Sequence, residues 1–246
     1  MSPFSLVRPA LPQQSGLCEA EPVFKPYVTV ATFAITAIPS LLQFVIPGLE
    51  PALMRDPAAI RGGEWWRLVT ALVVQDGGLG GTLFNLASLA VLGYCAERSL
   101  GPIRWLALYA AGALAGEISG YLTNDPGAGN SIAVCGLAAG LALAAAERLD
   151  RSLGAFYAVV LAASLLSDLG TWGIIAMIAL MAAGAQLVGQ RERVPLWLLV
   201  AVPVAAAAVL IARLDLHGFA LLGGILVGWI LQGTYSSASR RTEPLV

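Results

Sequence analysis

The stretch 127-GAGNSIAVCGLAAGLALAAA-146 puts Asn130 and Ser131 at the mouth of an apolar run long enough to enter a membrane. A serine there is either a helix cap or a nucleophile held at the edge of the lipid. The chain has one histidine, His217, which opens another apolar run, 215-DLHGFALLGGILVG-228. An imidazole within about 2.6–3.2 Å of a serine hydroxyl can remove its proton and later return it to a leaving amine. His217, Ala220, Gly224 and Gly228 form one helical stripe of small residues beneath the ring. Such stripes let membrane helices approach closely enough for a Ser–His contact. Ser131 looks down a comparable face through Cys135, Ala138 and Ala139, and Gly112, Gly116 and Gly120 make a further close-packing ridge.

Other polar groups bear on the same chemistry. Asn85 lies inside 81-GTLFNLASLAVLG-93, where an unpaired amide is costly. It is a candidate donor to a developing oxyanion, and equally a bridge between two helices. Gln75 and Asp76 precede a glycine break, 77-GGLGG-81, at an outer end where solvent exposure would account for them. Glu117 is expensive in lipid unless it faces a wet cavity or a partner. Cys18, Cys95 and Cys135 are odd in number and scattered, which supports neither a disulfide framework nor a metal site.

The elements that would position these residues are membrane helices. The 246 residues are 58% hydrophobic and 12% charged, with a mean hydropathy of +0.78; soluble domains carry about 25% charged residues. Apolar segments occur at about 28–46, 69–95, 103–123, 131–147, 154–169, 171–189, 195–213 and 216–233. Backbone in lipid must satisfy its own hydrogen bonds, so the expected fold is all-α, a polytopic transmembrane bundle of about eight spans. Residues 28–234 would form it, between tails 1–27 and 235–246. The polar, proline-rich first 26 residues lack the core of a cleaved signal peptide. Net charge is −1 with no basic tract, so no nucleic-acid partner is expected.

Loop charge orients the spans. With the amino terminus cytoplasmic, the inner side holds Arg8, Lys25, Arg98, Arg104, Arg148, Arg151, Arg191, Arg193, Arg240 and Arg241. The outer side holds only Arg55, Arg61, Arg67 and Arg213, three of them in the long loop 47–68. That asymmetry obeys the positive-inside rule with both termini cytoplasmic. Ser131 and His217 then both start helices that descend from the outer face, at the same depth.

Four motifs in order over about residues 60–235 resemble the rhomboid family of intramembrane serine proteases. The nucleophile motif Gly-x-Ser-Gly-Ala-x-x-Gly resembles 129-GNSIAVCG-136, and His-x-x-Gly-x-x-x-Gly resembles 217-HGFALLGG-224, with Ala220 for the first glycine. The Trp-Arg pair of the first outer loop is present in 63-GEWWRLVTAL-72, and the asparagine of the second family helix matches Asn85, followed by 93-GYCAE-97. The resemblance implies Ser131 as nucleophile and His217 as general base, with Asn85 and the Ser131 backbone N–H forming the oxyanion hole. It implies transmembrane-helix substrates cut near their outer ends, lipid surroundings, and no metal, cofactor or acidic third member. Thirteen arginines against one lysine point to a bacterial chain, and so to a bacterial inner membrane location. The chain departs from the family pattern at three points. Ile132 replaces the glycine after the nucleophile, Cys135 replaces an aromatic that often packs on the histidine, and Gly81 stands where an oxyanion histidine is usual. Gln75 is the candidate to lend its amide instead. The 86 residues between Ser131 and His217 leave room for two helices beyond the six-helix core, an even number that keeps His217 on the same side. The other readings are a rhomboid-like protein that binds client helices without cleaving them and, more remotely, a small-solute transporter, for which no internal repeat is visible.

Overall fold

The computed structural model describes residues 24–240, apart from the side chains of Asp168 and of residues 233–240. Arg8, Cys18, Arg241, most of the 1–27 tail and the last six residues of the 235–246 tail lie outside the described residues. Among the described residues eleven α-helices follow one another: α1 Tyr27–Leu42, α2 Leu49–Leu53, α3 Pro57–Arg61, α4 Arg67–Thr70, α5 Gly78–Leu100, α6 Pro102–Leu122, α7 Ser131–Ala144, α8 Arg148–Ser164, α9 Gly170–Gly189, α10 Leu196–Ala212 and α11 Leu216–Arg240. Short 3-10 turns at Ala71–Val73 and Ser167–Leu169 complete the order, and no strand forms among the described residues. The fold is all-α, as expected.

Among the described residues, eight helices of 14 residues or more overlap the eight apolar segments, and α2, α3 and α4 fold the 47–68 loop. α5 and α9 are long and apolar enough to cross a membrane, whereas α1, α7 and α10 are shorter apolar helices. α8 begins at Arg148, six residues before its apolar run. Its polar first turns are stabilised from α5: Asp150 is buried and accepts from Arg98 at 3.0 Å and from the Ser99 hydroxyl.

α7 sits at the centre. Every residue from Ile132 to Leu143 is buried, which suits a helix that is small and apolar all round. Glycines bring its neighbours to backbone contact. A Cβ at Gly112 of α6 would lie 2.7 Å from Gly136 N, and one at Gly224 of α11 would lie 2.7 Å from Gly136 Cα. Three helices therefore meet at Gly136, and a side chain on any of these glycines would force them apart.

The first helix is locked by the glutamate of 93-GYCAE-97. Glu97, buried on α5, accepts the N–H of Val28 at 3.0 Å and of Thr29 at 2.7 Å, two of the donors a helix start leaves unpaired. Gly93 lets the helices close, since a Cβ there would meet Thr29 Cγ2 at 2.9 Å. α9 lies at the periphery against α8, where Gly184 faces Val159. The rest of α9 is largely exposed, with Trp172 at 81%, an apolar surface suited to lipid.

Candidate active site

Ser131 is the first residue of α7, with Asn130 in the cap position and no side-chain cap on the helix. The hydroxyl is thus not spent as a cap, and the Ser131 N–H is one of the orphan donors of an uncapped helix start. His217 is the second residue of α11. The contact of α11 with α7 at Gly136 brings the two helix starts together, and Ser131 Oγ lies 2.9 Å from His217 Nε2. Both side chains line a cavity of about 150 Å³ with Arg55, Asp76 and Gly129. A larger cavity, about 570 Å³, lies around Ala145, Arg151 and Trp197, away from this pair.

Asn85 projects from α5 toward the same region. Its Nδ2 donates to Gln75 Oε1 at 2.8 Å, which leaves a second amide hydrogen for a ligand. A Cβ at Gly129 would come within 3.5 Å of both Asn85 Nδ2 and Ser131 Oγ, so an unfilled space separates these two groups. Gly129 has φ +148°, a conformation that favours glycine, and it holds that space open.

Gln75 is not the solvent-facing residue its sequence position suggested. It is fully buried. Its Nε2 donates to Asn130 Oδ1 at 3.0 Å and to Ser40 Oγ of α1 at 3.3 Å, and its backbone exchanges hydrogen bonds with the Gln43 amide. Both amide hydrogens are committed, so Gln75 braces Asn85 and Asn130; serving directly as an oxyanion donor would require it to release one partner. Asp76 is exposed and accepts the N–H of Ala128 at 2.9 Å.

Three features were not legible from residue types. Arg55, counted as an outer-loop charge, is 3% exposed. Its backbone pairs with Gly127 in both directions, its Nε donates to the Asp125 carbonyl at 2.8 Å, and its guanidinium lies 3.2 Å from Glu117. Glu117 thus has the partner its burial demands, and the 124–130 loop that leads into Ser131 is pinned to the 47–68 loop. Asn130 is fully buried beside the nucleophile candidate. Asp215 Oδ1 accepts the His217 backbone N–H at 2.8 Å and lies 2.7 Å from His217 Nδ1. Burial works against ionisation of Asp215, but the contacts with His217 outweigh it and hold the carboxyl below its ordinary value. Asp215 stood in the quoted 215-DLHG stretch, two residues before the histidine, and that spacing was the available signal.

The departures from the family pattern also acquire a structural setting. Ile132 is 2% exposed and packs on Gly116 of α6, where a Cβ would lie 2.7 Å from Ile132 Cβ. The bulk gained after the nucleophile is offset by a missing side chain opposite. Nothing lies within 4 Å of a Cβ at Gly81. Cys135 is buried and free.

An all-helical bundle of apolar helices that closes a serine and a histidine into a small polar cavity defines a class of integral membrane protein. Residues 62–189, just over half of the chain, match the family model of the rhomboid domain, and the chain belongs to the rhomboid family. That match includes Gln75, Asn85 and Ser131 and ends before His217. Among curated proteins, the putative rhomboid protease YdcA of Bacillus subtilis (strain 168) is 35% identical over 101 residues, 38% of this chain and 50% of that protein. Rhomboid protease GluP of the same organism is 35% identical over 83 residues, 33% of this chain and 16% of that protein. The chain thus spans half or less of the length of the relatives it matches. No solved structure matches it.

Proposed function

We propose that this chain is a serine endopeptidase of the bacterial cytoplasmic membrane that cuts transmembrane-helix substrates near their outer ends. The observation that carries this reading is the 2.9 Å approach of Ser131 Oγ to His217 Nε2, across 86 residues of sequence. Residues 28–234 form the membrane domain in eight spans, both tails are cytoplasmic, and lipid covers the exposed face of α9.

In this reading His217 Nε2 takes the Ser131 proton as Oγ attacks the scissile carbonyl carbon. The second Asn85 amide hydrogen and the Ser131 N–H, at the uncapped start of α7, stabilise the oxyanion. His217 passes the proton to the leaving amine as the C–N bond breaks, and an acyl-Ser131 remains. Water, reaching the cavity from the outer side, then attacks the acyl carbon. It gives one proton through His217 back to Oγ, and the new carboxylate departs. No metal or cofactor enters these steps.

The test is covalent labelling of the full-length chain in detergent or lipid by a fluorophosphonate, in which Oγ displaces fluoride from phosphorus. Labelling is expected in the unaltered chain and is expected to disappear in both Ser131→Ala and His217→Ala. Absence of labelling under every lipid condition would remove the hydrolase reading and leave recognition of membrane helices without cleavage.

A further inference from the structure

The resemblance implies a Ser–His pair without an acidic third member, and the geometry around His217 departs from that. Asp215, the residue before α11, lies 2.7 Å from Nδ1 on one side of the ring, and Ser131 Oγ lies 2.9 Å from Nε2 on the other. We propose that Asp215 is a positioning residue that makes the site a Ser131–His217–Asp215 triad. The assignment rests on the hydrolase reading above.

The argument is one of proton inventory. An ionised carboxylate only accepts hydrogen bonds, so the ring nitrogen facing it must carry the proton. A neutral imidazole has one N–H, so Nε2 is left with its lone pair, aimed at the serine hydroxyl. This is the tautomer a general base needs. As Ser131 gives up its proton the ring becomes cationic, and the carboxylate beside Nδ1 stabilises that charge. Without Asp215 the ring would be free to exchange tautomers and to turn about its own axis.

The competing account is that Asp215 merely caps α11, because the same Oδ1 accepts the His217 backbone N–H at 2.8 Å. Capping explains that bond and does not require an imidazole 2.7 Å away. The two roles reinforce each other, since the cap fixes the carboxylate and the carboxylate fixes the ring. The other ionisable groups lining the cavity are Arg55, Asp76 and Asp125, with Glu117 behind Arg55; the packed helices add Cys135 on α7 and Arg213 at the end of α10. The group at Nδ1 is Asp215.

Because His217 is the only histidine, a full-length chain labelled with 15N-histidine and purified through a histidine-free tag reports on this one ring. At alkaline pH the unaltered chain should show the proton on Nδ1, whether or not any substrate is cut. Asp215→Asn and Asp215→Ser both keep a capping oxygen but carry no charge. With folding verified by monodisperse elution, Asp215→Asn should slow fluorophosphonate labelling roughly 100-fold. Asp215→Ser should be slowed at least as much. A proton on Nε2 in the unaltered chain overturns the triad, and so does labelling of Asp215→Asn at the unaltered rate. Both results leave the Ser–His reading standing. No labelling of the unaltered chain removes that reading and the triad together.

Discussion

Gly129 shows how much of the site depends on a missing side chain. Its φ of +148° is one that side-chain-bearing residues avoid, and an added methyl would come within 3.2 Å of Gln75 Oε1 and 3.5 Å of Ser131 Oγ and Asn85 Nδ2. In the proposed reaction that volume belongs to the oxyanion. Gly129→Ala is therefore expected to destabilise the loop by about 1–2 kcal/mol through backbone strain. It should also slow labelling of Ser131 by roughly 10-fold or more, by crowding a stabilising donor. Thermal unfolding and the labelling rate measure the two effects separately. An unaltered labelling rate would show that the space between Asn85 and Ser131 is not used by the reaction. At this scale the serine and the histidine were legible because their residue types limit what they can do. Gln75 was read as solvated and Asp215 was given no role, because an amide or carboxylate near a helix end shows its part only once its neighbours are known.

At the scale of elements, the loop before α7 is held by a buried ion pair. Arg55 and Glu117 have side chains only 3% and 4% exposed and lie 3.2 Å apart, so each is the other's main compensation for leaving water. Arg55→Ala is expected to cost about 3–5 kcal/mol, because it strands the glutamate and unpins the 124–130 loop. Arg55→Met combined with Glu117→Leu should recover most of that loss, since an apolar replacement with no stranded charge is far better tolerated. Unfolding in a mixed detergent series measures both, and a double variant no better than the single would refute the pairing. The helices themselves were readable from apolar length. Their ends were less so, since α8 starts at Arg148, before its apolar run, and its Asp150 finds Arg98 and Ser99 on α5.

Across the whole molecule, polar contacts separate into two ends. Arg55, Gln75, Gly127, Ser131 and His217 gather at one. At the other, Arg98 meets Glu147 and Asp150, and Arg148 Nη1 donates to the carbonyl of Val194 at 2.8 Å. Taken with the loop-charge asymmetry, this two-sided order makes a topology prediction. In a Cys18→Ser background, Asp125→Cys should react with a membrane-impermeant maleimide in intact cells, and Glu192→Cys only after the membrane is opened. Both positions are exposed, and α7, α8 and α9 lie between them. Reaction of both from the same side would sink the eight-span count.

Apolar length, loop charge and motif order carry the all-helical fold, the family and the choice of Ser131 and His217, because burial in lipid and hydroxyl–imidazole chemistry restrict residue types directly. Burial of Arg55 and Gln75, compensation of Ile132 by Gly116, and the approach of Asp215 to the imidazole were decided only when the chain folded. Each is a relation between residues, and a side chain's neighbours across helices set its hydrogen bonds, its charge state and the space it must leave empty.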